Sequence, residues 1–345
     1  MIKNILIINV NWIGDVLFTT PFIRSLREAY PESYIACLLH PRCVEMLQAN
    51  PRIDEIILYD EEYEHRGFWG KFRLIREIGK RRFDTAFILH RSFTKALIAY
   101  LAGIKERIGY PTKKRSFLLT KSAEEPGHEA HKVEYFLNVA RSAGIRVLDN
   151  SYEFFINKKD RDFVSDFLRK NGLRDEDLLV MLCPGGNWEP KRWPTENFAG
   201  LADALIDKYG AKIIIAGANK DGLLAEDIRL KMKGKPFIAC GKTTLKELGA
   251  LFERAGLVVA NDTGPMHIAV AMKAPVIALF GPTSPAITGP YGSGNYKVIF
   301  KDKDASCEVP CYDVKCKDNR CMAAIKVEDV LAAADGMLTR RQILY

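Results

Sequence analysis

The sequence predicts an α/β protein of two Rossmann-like domains facing across a cleft. Three observations carry this reading. The 345 residues exceed what one hydrophobic core usually organises, since chains beyond roughly 250–300 residues split into domains. Short apolar runs alternate with amphipathic segments through both halves, the βαβα order of a parallel sheet covered by helices. Four of the strand-like runs end in segments rich in Gly, Pro, Asp or Lys, and open parallel sheets hold ligands beyond the carboxyl ends of their strands.

In the first half the expected strands are 4–10, 34–39, 55–59 and 84–89. The helices between and after them are 15–30, 42–49, 68–82 and 93–102. A further helical run ends near Ala143, followed by a strand-like 151–156. The segment 158–177 is highly charged and contains Asn171-Gly172, a helix stop, so the domain junction is placed there: 1–165 and 166–326. The second half repeats the pattern. Strands are expected at 178–183, 212–216, 257–260, 275–280 and 296–300, with helices at 196–209, 223–233, 245–255 and 265–272. A cysteine-rich loop and a helical tail close the chain; that tail, 327–345, is expected to be able to pack back on the first domain.

Composition excludes two classes. With 48% hydrophobic and 27% charged residues the chain is not mostly disordered. Its longest unbroken apolar run, Ala96 to Ala102, is far short of the ~20 residues of a spanning helix. Basic residues outnumber acidic ones 51 to 43, a net charge of +8, compatible with phosphorylated substrates, an anionic membrane surface or nucleic acid. The amino terminus enters a strand-length apolar stretch with no signal-peptide pattern, so a cytosolic location is expected. Eight cysteines in this length do not make a secreted disulfide scaffold.

Four strand ends hold the candidate chemistry. Asn9 to Val16 follows the first strand and opens a helix. Gly14 permits a tight turn, and Asp15 is either a helix-terminal carboxylate or a general base. The second, Pro184-Gly185-Gly186-Asn187-Trp188-Glu189-Pro190-Lys191-Arg192-Trp193-Pro194, bares backbone N–H groups beside two cations. It is a phosphate cradle or a plain Gly/Pro loop. The third, Gly217 to Asp221, suits a ribose hydroxyl or a helix cap. The fourth, Asn261-Asp262-Thr263-Gly264-Pro265-Met266-His267, ends a strand, turns and starts a helix whose first N–H groups point at an anion. There Thr263 adds a hydroxyl donor, Asp262 can bind sugar hydroxyls, and His267 is a structural histidine or a site residue.

Three strings, taken together, resemble the ADP-heptose:lipopolysaccharide heptosyltransferase family, and within it the heptosyltransferase II branch. They are Asn11-Trp12-Ile13-Gly14-Asp15 with Thr19-Thr20-Pro21, Lys191-Arg192-Trp193-Pro194, and the Asn261–His267 run. They stand in the family order and span nearly the whole chain. The resemblance implies a GT-B glycosyltransferase, inverting transfer of L-glycero-D-manno-heptose from ADP to the inner core of lipopolysaccharide, and an acceptor-binding first domain before a donor-binding second one. It implies Asp15 as catalytic base, Lys191 at the donor phosphate, Asp262 at the heptose, Thr263 and Gly264 at the diphosphate, and Asp221 where relatives hold a glutamate at the ribose. Gly186 and Asn187 fall where some relatives carry threonines. His267 completes the donor set. No cofactor or metal is required, because lysine and helix N–H groups serve the departing diphosphate. A related glycosyltransferase with another nucleotide sugar, or a nucleotide-sugar binder without turnover, are the alternatives.

The Asp pairs 160/162, 175/177 and 302/304 have a metal-binding spacing but read as solvated surface. Cys307, Cys311, Cys316 and Cys321 form C-x₃-C-x₄-C-x₄-C, a structural loop tied by thiols, disulfides or zinc. Cys37, Cys43, Cys183 and Cys240 read as core residues. Helix 68–82 has Phe68, Trp69, Phe72, Ile75 and Ile78 as its apolar face, expected on the core. Its cationic side, Lys71, Arg73, Arg76, Lys80, Arg81 and Arg82 with Arg66 ahead, is solvated or meets a phosphorylated lipid acceptor or the anionic inner leaflet. Lys113, Lys114 and Arg115 add weakly to acceptor binding. Nucleic acid is not expected, since no recognition module accompanies the charge.

Overall fold

Two six-stranded parallel sheets organise the chain in the computed structural model, which describes residues 2–127, 129–303 and 307–342. The chain divides into two compact units, Met1–Phe155 and Ile156–Tyr345.

In the first unit the strands are β1 (Asn4–Ile8), β2 (Tyr34–Leu39), β3 (Glu55–Leu58), β4 (Thr85–Ile88), β5 (Glu106–Gly109) and β6 (Lys121–Ser122). Their order is β3-β2-β1-β4-β5-β6. β1 is a continuous apolar run, as a strand covered on both faces requires. Ile8 pairs with Leu38 on one side and Ile88 on the other, so the loops after β1, β2 and β4 leave one edge of the sheet together. The loops after β3 and β5 leave the same edge, because those pairs are parallel too.

The second unit repeats the plan. Its strands are β7 (Leu179–Cys183), β8 (Lys212–Ile215), β9 (Phe237–Ile238), β10 (Leu257–Asn261), β11 (Val276–Phe280) and β12 (Tyr296–Phe300), ordered β12-β11-β10-β7-β8-β9. β7 and β10 are wholly buried neighbours. Trp193, Phe198 and Leu201 pack with Val180 and Leu182 of β7 in the core on one face of this sheet.

Several expectations are corrected. The helix expected over 15–30 is two helices, Ile13–Phe18 and Thr20–Ala29. Pro21 has no N–H to continue the first and sits in the opening turn of the second. The strand-like 151–156 is irregular, held by the buried Arg24, which donates to the carbonyls of Asp149 and Ser151 and pairs with Glu153. The charged segment 158–177 contains a helix, Lys158–Lys170, with a reciprocal Asn157–Asp160 cap. Its Val164 and Leu168 are buried, it packs on helix Leu245–Glu253, and it joins the second unit, so the unit boundary lies ahead of the expected 165/166. The closing helix, Val327–Gln342, also belongs to the second unit: Val330 and Ala334 lie in its core, and Asp335 binds Lys208 and Tyr209 of helix Thr195–Tyr209.

The aromatic face of helix Gly67–Lys80 differs from expectation most. Leu74 and Ile78 are buried, whereas Phe68 and Trp69 are 74% and 78% exposed and Phe72 is also exposed. Only the second half of this helix, through Leu74, Ile75 and Ile78, reaches the core. Asp160 is a cap, Asp175 pairs with Arg254, and Asp304 lies outside the described residues. Among the described residues no helix is long and apolar enough to cross a membrane, and no group of three or more His, Cys, Asp or Glu is placed to hold a metal ion. The eight cysteines are free thiols; Cys37, Cys43, Cys183, Cys240 and Cys321 are buried, Cys307 and Cys311 exposed.

Candidate active site

In the second unit the chain leaves β7 to one side for β8 and returns on the other as β10, so the carboxyl ends of β7 and β10 flank a switch point, the usual ligand position in open α/β sheets. The Pro184–Pro194 loop and the Asn261–Pro265 turn meet there. Asn261, fully buried, joins them: its Nδ2 donates to the carbonyls of Pro184 and Gly185 at 2.8 and 3.2 Å, and its Oδ1 accepts from the Trp193 N–H at 3.2 Å. Trp193 in turn anchors the far end of the loop, its Nε1 donating to the Ile325 carbonyl at 2.9 Å.

That pinning brings Lys191 to Asp262. Lys191 Nζ donates to Asp262 Oδ2 at 2.6 Å and lies over the Trp188 ring, 4.7 Å from its centroid. Thr283, buried in the loop after β11, donates its hydroxyl to the same Oδ2 at 2.7 Å. His267 Nε2 stands 4.0 Å from Asp262 Oδ1. Asp262 is thus held from three sides, just ahead of helix Gly264–Ala271, whose first N–H groups have no intrahelical partner. Thr263 caps that helix in extended conformation without a side-chain cap bond; its hydroxyl donates to the Asn261 carbonyl. The N-terminal partial positive charge and the Lys191 ammonium together form an anion seat, with Thr263 and Gly264 partly exposed at its rim.

Gly186 lies against Thr263 and accepts both Nε and Nη2 of Arg192 on its carbonyl. Gly185 is the glycine that sterics demand: a Cβ there would stand 2.5 Å from the Asp221 carboxylate. Asp221 is buried, and one oxygen, Oδ2, accepts the Ala218 N–H at 2.9 Å, which is a turn cap. The other, Oδ1, is buried against Gly185 and has no hydrogen-bond partner among the described residues. Asn187 accepts from Lys220, which brings a third cation to the loop of Lys191 and Arg192.

In the first unit Asp15 lies in the opening turn of helix Ile13–Phe18, directly after β1. The intervening turn is clamped. Lys95, almost fully buried, donates to Asn11 Oδ1 at 2.6 Å; Arg42 Nε and Cys43 Sγ donate to the Asn11 carbonyl at 2.9 and 3.1 Å. Burial pushes the Lys95 ammonium down to about 8. Burial, then the cations of Lys95, Arg115 and Lys113, pushes His90 down to about 3, so its imidazole is neutral at physiological pH. Lys113 and Lys114 are exposed, as an acceptor role needs. Arg115 is not: it is fully buried and donates to the carbonyls of Tyr110, His90 and Ser92, holding the loops after β4 and β5 together from inside. Sequence reasoning did not single out Lys95, Asn261 or Thr283. The signal for Asn261 was its place ahead of Asp262; Lys95 and Thr283 had none, since their partners are distant in the chain.

Two parallel α/β units, each with its polar residues at the carboxyl edge, and an anion seat in the second define a nucleotide-sugar glycosyltransferase of the GT-B class. The model of glycosyltransferase family 9 (heptosyltransferase) matches residues 71–316, and the chain belongs to that family. It is 31% identical over 305 residues to lipooligosaccharide heptosyltransferase 2 of Haemophilus ducreyi (strain 35000HP), covering 83% of this chain and 85% of that one. Among solved structures it resembles a glycosyl transferase family 9 protein of Veillonella parvula DSM 2008, with a TM-score of 0.89 and 29% identity over 98% of both chains. The fold is also that of E. coli ADP-heptose lps heptosyltransferase II, with a TM-score of 0.79 and 24% identity over 99% of this chain and 100% of that one.

Proposed function

We propose that the chain transfers L-glycero-D-manno-heptose from ADP-heptose to the inner core of lipopolysaccharide, with inversion at the anomeric carbon. The observation that carries this reading is the Lys191–Asp262 pair at 2.6 Å beside the start of helix Gly264–Ala271. In one in-line displacement the acceptor hydroxyl attacks the anomeric carbon and the bond to the diphosphate breaks. Asp15 takes the hydroxyl's proton. Lys191 and the N–H groups at Thr263 and Gly264 stabilise the negative charge that grows on ADP. Asp262, fixed by Lys191 and Thr283, accepts hydrogen bonds from heptose hydroxyls. Asp221, at the turn after β8, is the carboxylate on the ribose side. Lys113 and Lys114 meet the anionic acceptor, which is anchored at the inner face of the cytoplasmic membrane.

The test is ADP release with ADP-heptose and a heptose-accepting core. Turnover that needs both substrates, and that falls in Asp15→Asn and Lys191→Ala, is expected. Stronger thermal stabilisation by a UDP- or GDP-sugar than by ADP-heptose would assign another nucleotide sugar instead.

A further inference from the structure

We infer that Asn319 is a positioning residue for Lys191, and that the cysteine-rich segment carrying it braces the donor site. The inference rests on the proposed transfer from a nucleotide sugar and adds a residue that acts through another.

Two groups share Asp262 Oδ2, the Lys191 ammonium and the Thr283 hydroxyl. Each stands next in the chain to a carbonyl that the segment between Cys311 and Asn319 holds. Asn319 Nδ2 donates to the carbonyl of Arg192 at 2.8 Å. The N–H groups of Cys311 and Tyr312 donate to the carbonyl of Pro282 at 3.1 and 3.0 Å. The peptide group that follows Lys191 is thereby held on both sides. Asn319 takes its carbonyl, and Asn261 takes its N–H, that of Trp193. A peptide group is planar, so fixing both polar groups fixes its plane and the direction in which the chain leaves Lys191. Lysine ends a flexible four-carbon stem, and a steady backbone lowers the entropy lost when its ammonium is held in one place.

Asn319 is itself oriented. The Cys321 thiol donates to its Oδ1 at 3.7 Å, which leaves the Nδ2 side on Arg192. Burial, with Cys307, Cys311 and Cys316 adding to it, pushes Cys321 up to about 11, so the group remains a thiol and a donor. Cys321 and Met322 are buried, and Met322 packs closely at the exit of β11: a Cβ on Gly281 would stand 2.5 Å from its sulfur. At the other end of the segment Tyr312 has φ 54°, the left-handed region that bulky side chains avoid. Its N–H on Pro282 and its hydroxyl, which accepts the Ser284 N–H at 3.4 Å, hold it there. Such strain persists where the surroundings dictate it, and it collects at functional sites. The segment is thus fixed at both ends, with one grip beside Thr283 and one beside Lys191.

The experiment is a double-mutant cycle on ADP affinity with the full chain. ADP is titrated to millimolar concentration, so that weak binding stays measurable, and binding is followed by tryptophan fluorescence. Asn319→Ala should raise the Kd for ADP by about tenfold, near the upper end of what one hydrogen bond contributes. In a Lys191→Ala background the same change should have almost no effect, because the group it positions is gone. A merely structural role would give the same fold-change in both backgrounds. Asn319→Leu, of similar shape but without the donor, should reproduce both results and guards against a fold defect of the alanine variant. An unchanged Kd, or equal fold-changes with and without Lys191, overturns the inference. The cycle uses neither heptose nor acceptor, so failure of the transfer reaction leaves it readable. Should wild type bind UDP or GDP in place of ADP, the donor reading fails, while the same cycle with that diphosphate still decides the role of Asn319.

Discussion

The ammonium of Lys191 and the carboxylate of Asp262 meet at 2.6 Å, although seventy positions of chain separate them, because Asn261 ties one loop to the other. Asp262 shares the same oxygen with Thr283. A lysine held this way keeps N–H groups for an incoming diphosphate while its own carboxylate partner prevents it from wandering. Lys191→Ala should therefore lower kcat/KM by about 10²–10³, the usual cost of one charge-stabilising donor. ADP release at subsaturating donor, and loss of the thermal shift by ADP, would both report it.

Asp15 belongs to the other unit and should act on the acceptor alone. Asp15→Asn is expected to lower kcat by about 10²–10⁴ while ADP binding, measured by calorimetry, stays at the wild-type value. A variant with weakened ADP binding and unchanged kcat would remove Asp15 from the role of base.

Asn261 is fully buried and makes three hydrogen bonds to the loop that carries Lys191. Asn261→Ala leaves two carbonyls and an N–H without that partner. The expected loss is about 2–4 kcal/mol of stability, read from the urea midpoint at constant m. Activity should fall further than stability alone explains, because the lysine is no longer positioned.

Gly185→Ala places a methyl carbon 2.5 Å from the Asp221 carboxylate. Either the loop lifts or the carboxylate turns, so both the loop and the Ala218 cap are disturbed. A higher Kd for ADP, by about tenfold, is the expected outcome. An unchanged Kd would show that neither group reaches the nucleotide.

Lys95 predicts a pH dependence. Its ordinary value is 10.5, and burial lowers it to about 8 in the folded chain. Below about pH 8 the ammonium is charged in both states, and its burial costs stability. Between about 8 and 10.5 the folded chain releases the proton while the unfolded chain keeps it. For this group the unfolded state then binds more protons, so its contribution to stability rises with pH across that window, by about 3 kcal/mol. The thiols of Cys37 and Cys43, pushed up by burial, contribute in the opposite sense above about pH 9, so the Lys95 effect is read as the stability difference between wild type and Lys95→Met, which should shift by about that amount in favour of wild type between urea titrations at pH 7.5 and 10.5.

Much of this was legible in the residue order. Continuous apolar runs such as Ile5–Ile8 and Val258–Ala260 marked buried parallel strands, and the helices between them followed from periodicity. The Lys191 and Asp262 strings stood out because Gly, Pro and charge together at a strand end are uncommon. Other features were hidden for physical reasons. The helix Lys158–Lys170 read as a linker because only Val164 and Leu168 anchor it, and its cap depends on the Asn157–Asp160 pairing. Arg115 read as one of three surface cations; its burial is set by three carbonyls from loops that only folding brings together. The aromatic face of helix Gly67–Lys80 read as core, since periodicity tells which residues share a face but not how far the neighbouring sheet extends beneath it.

By itself the order of residues determined the two α/β units, the family and the strand ends at which chemistry collects, because these depend on local pattern and short strings. The tertiary structure alone decided that Lys191 and Thr283 share one carboxylate oxygen, that Lys95 is buried beneath the Asp15 turn, and that Phe68 and Trp69 face solvent. Those are outcomes of packing between distant segments, where burial and partner are fixed only when the whole sheet closes.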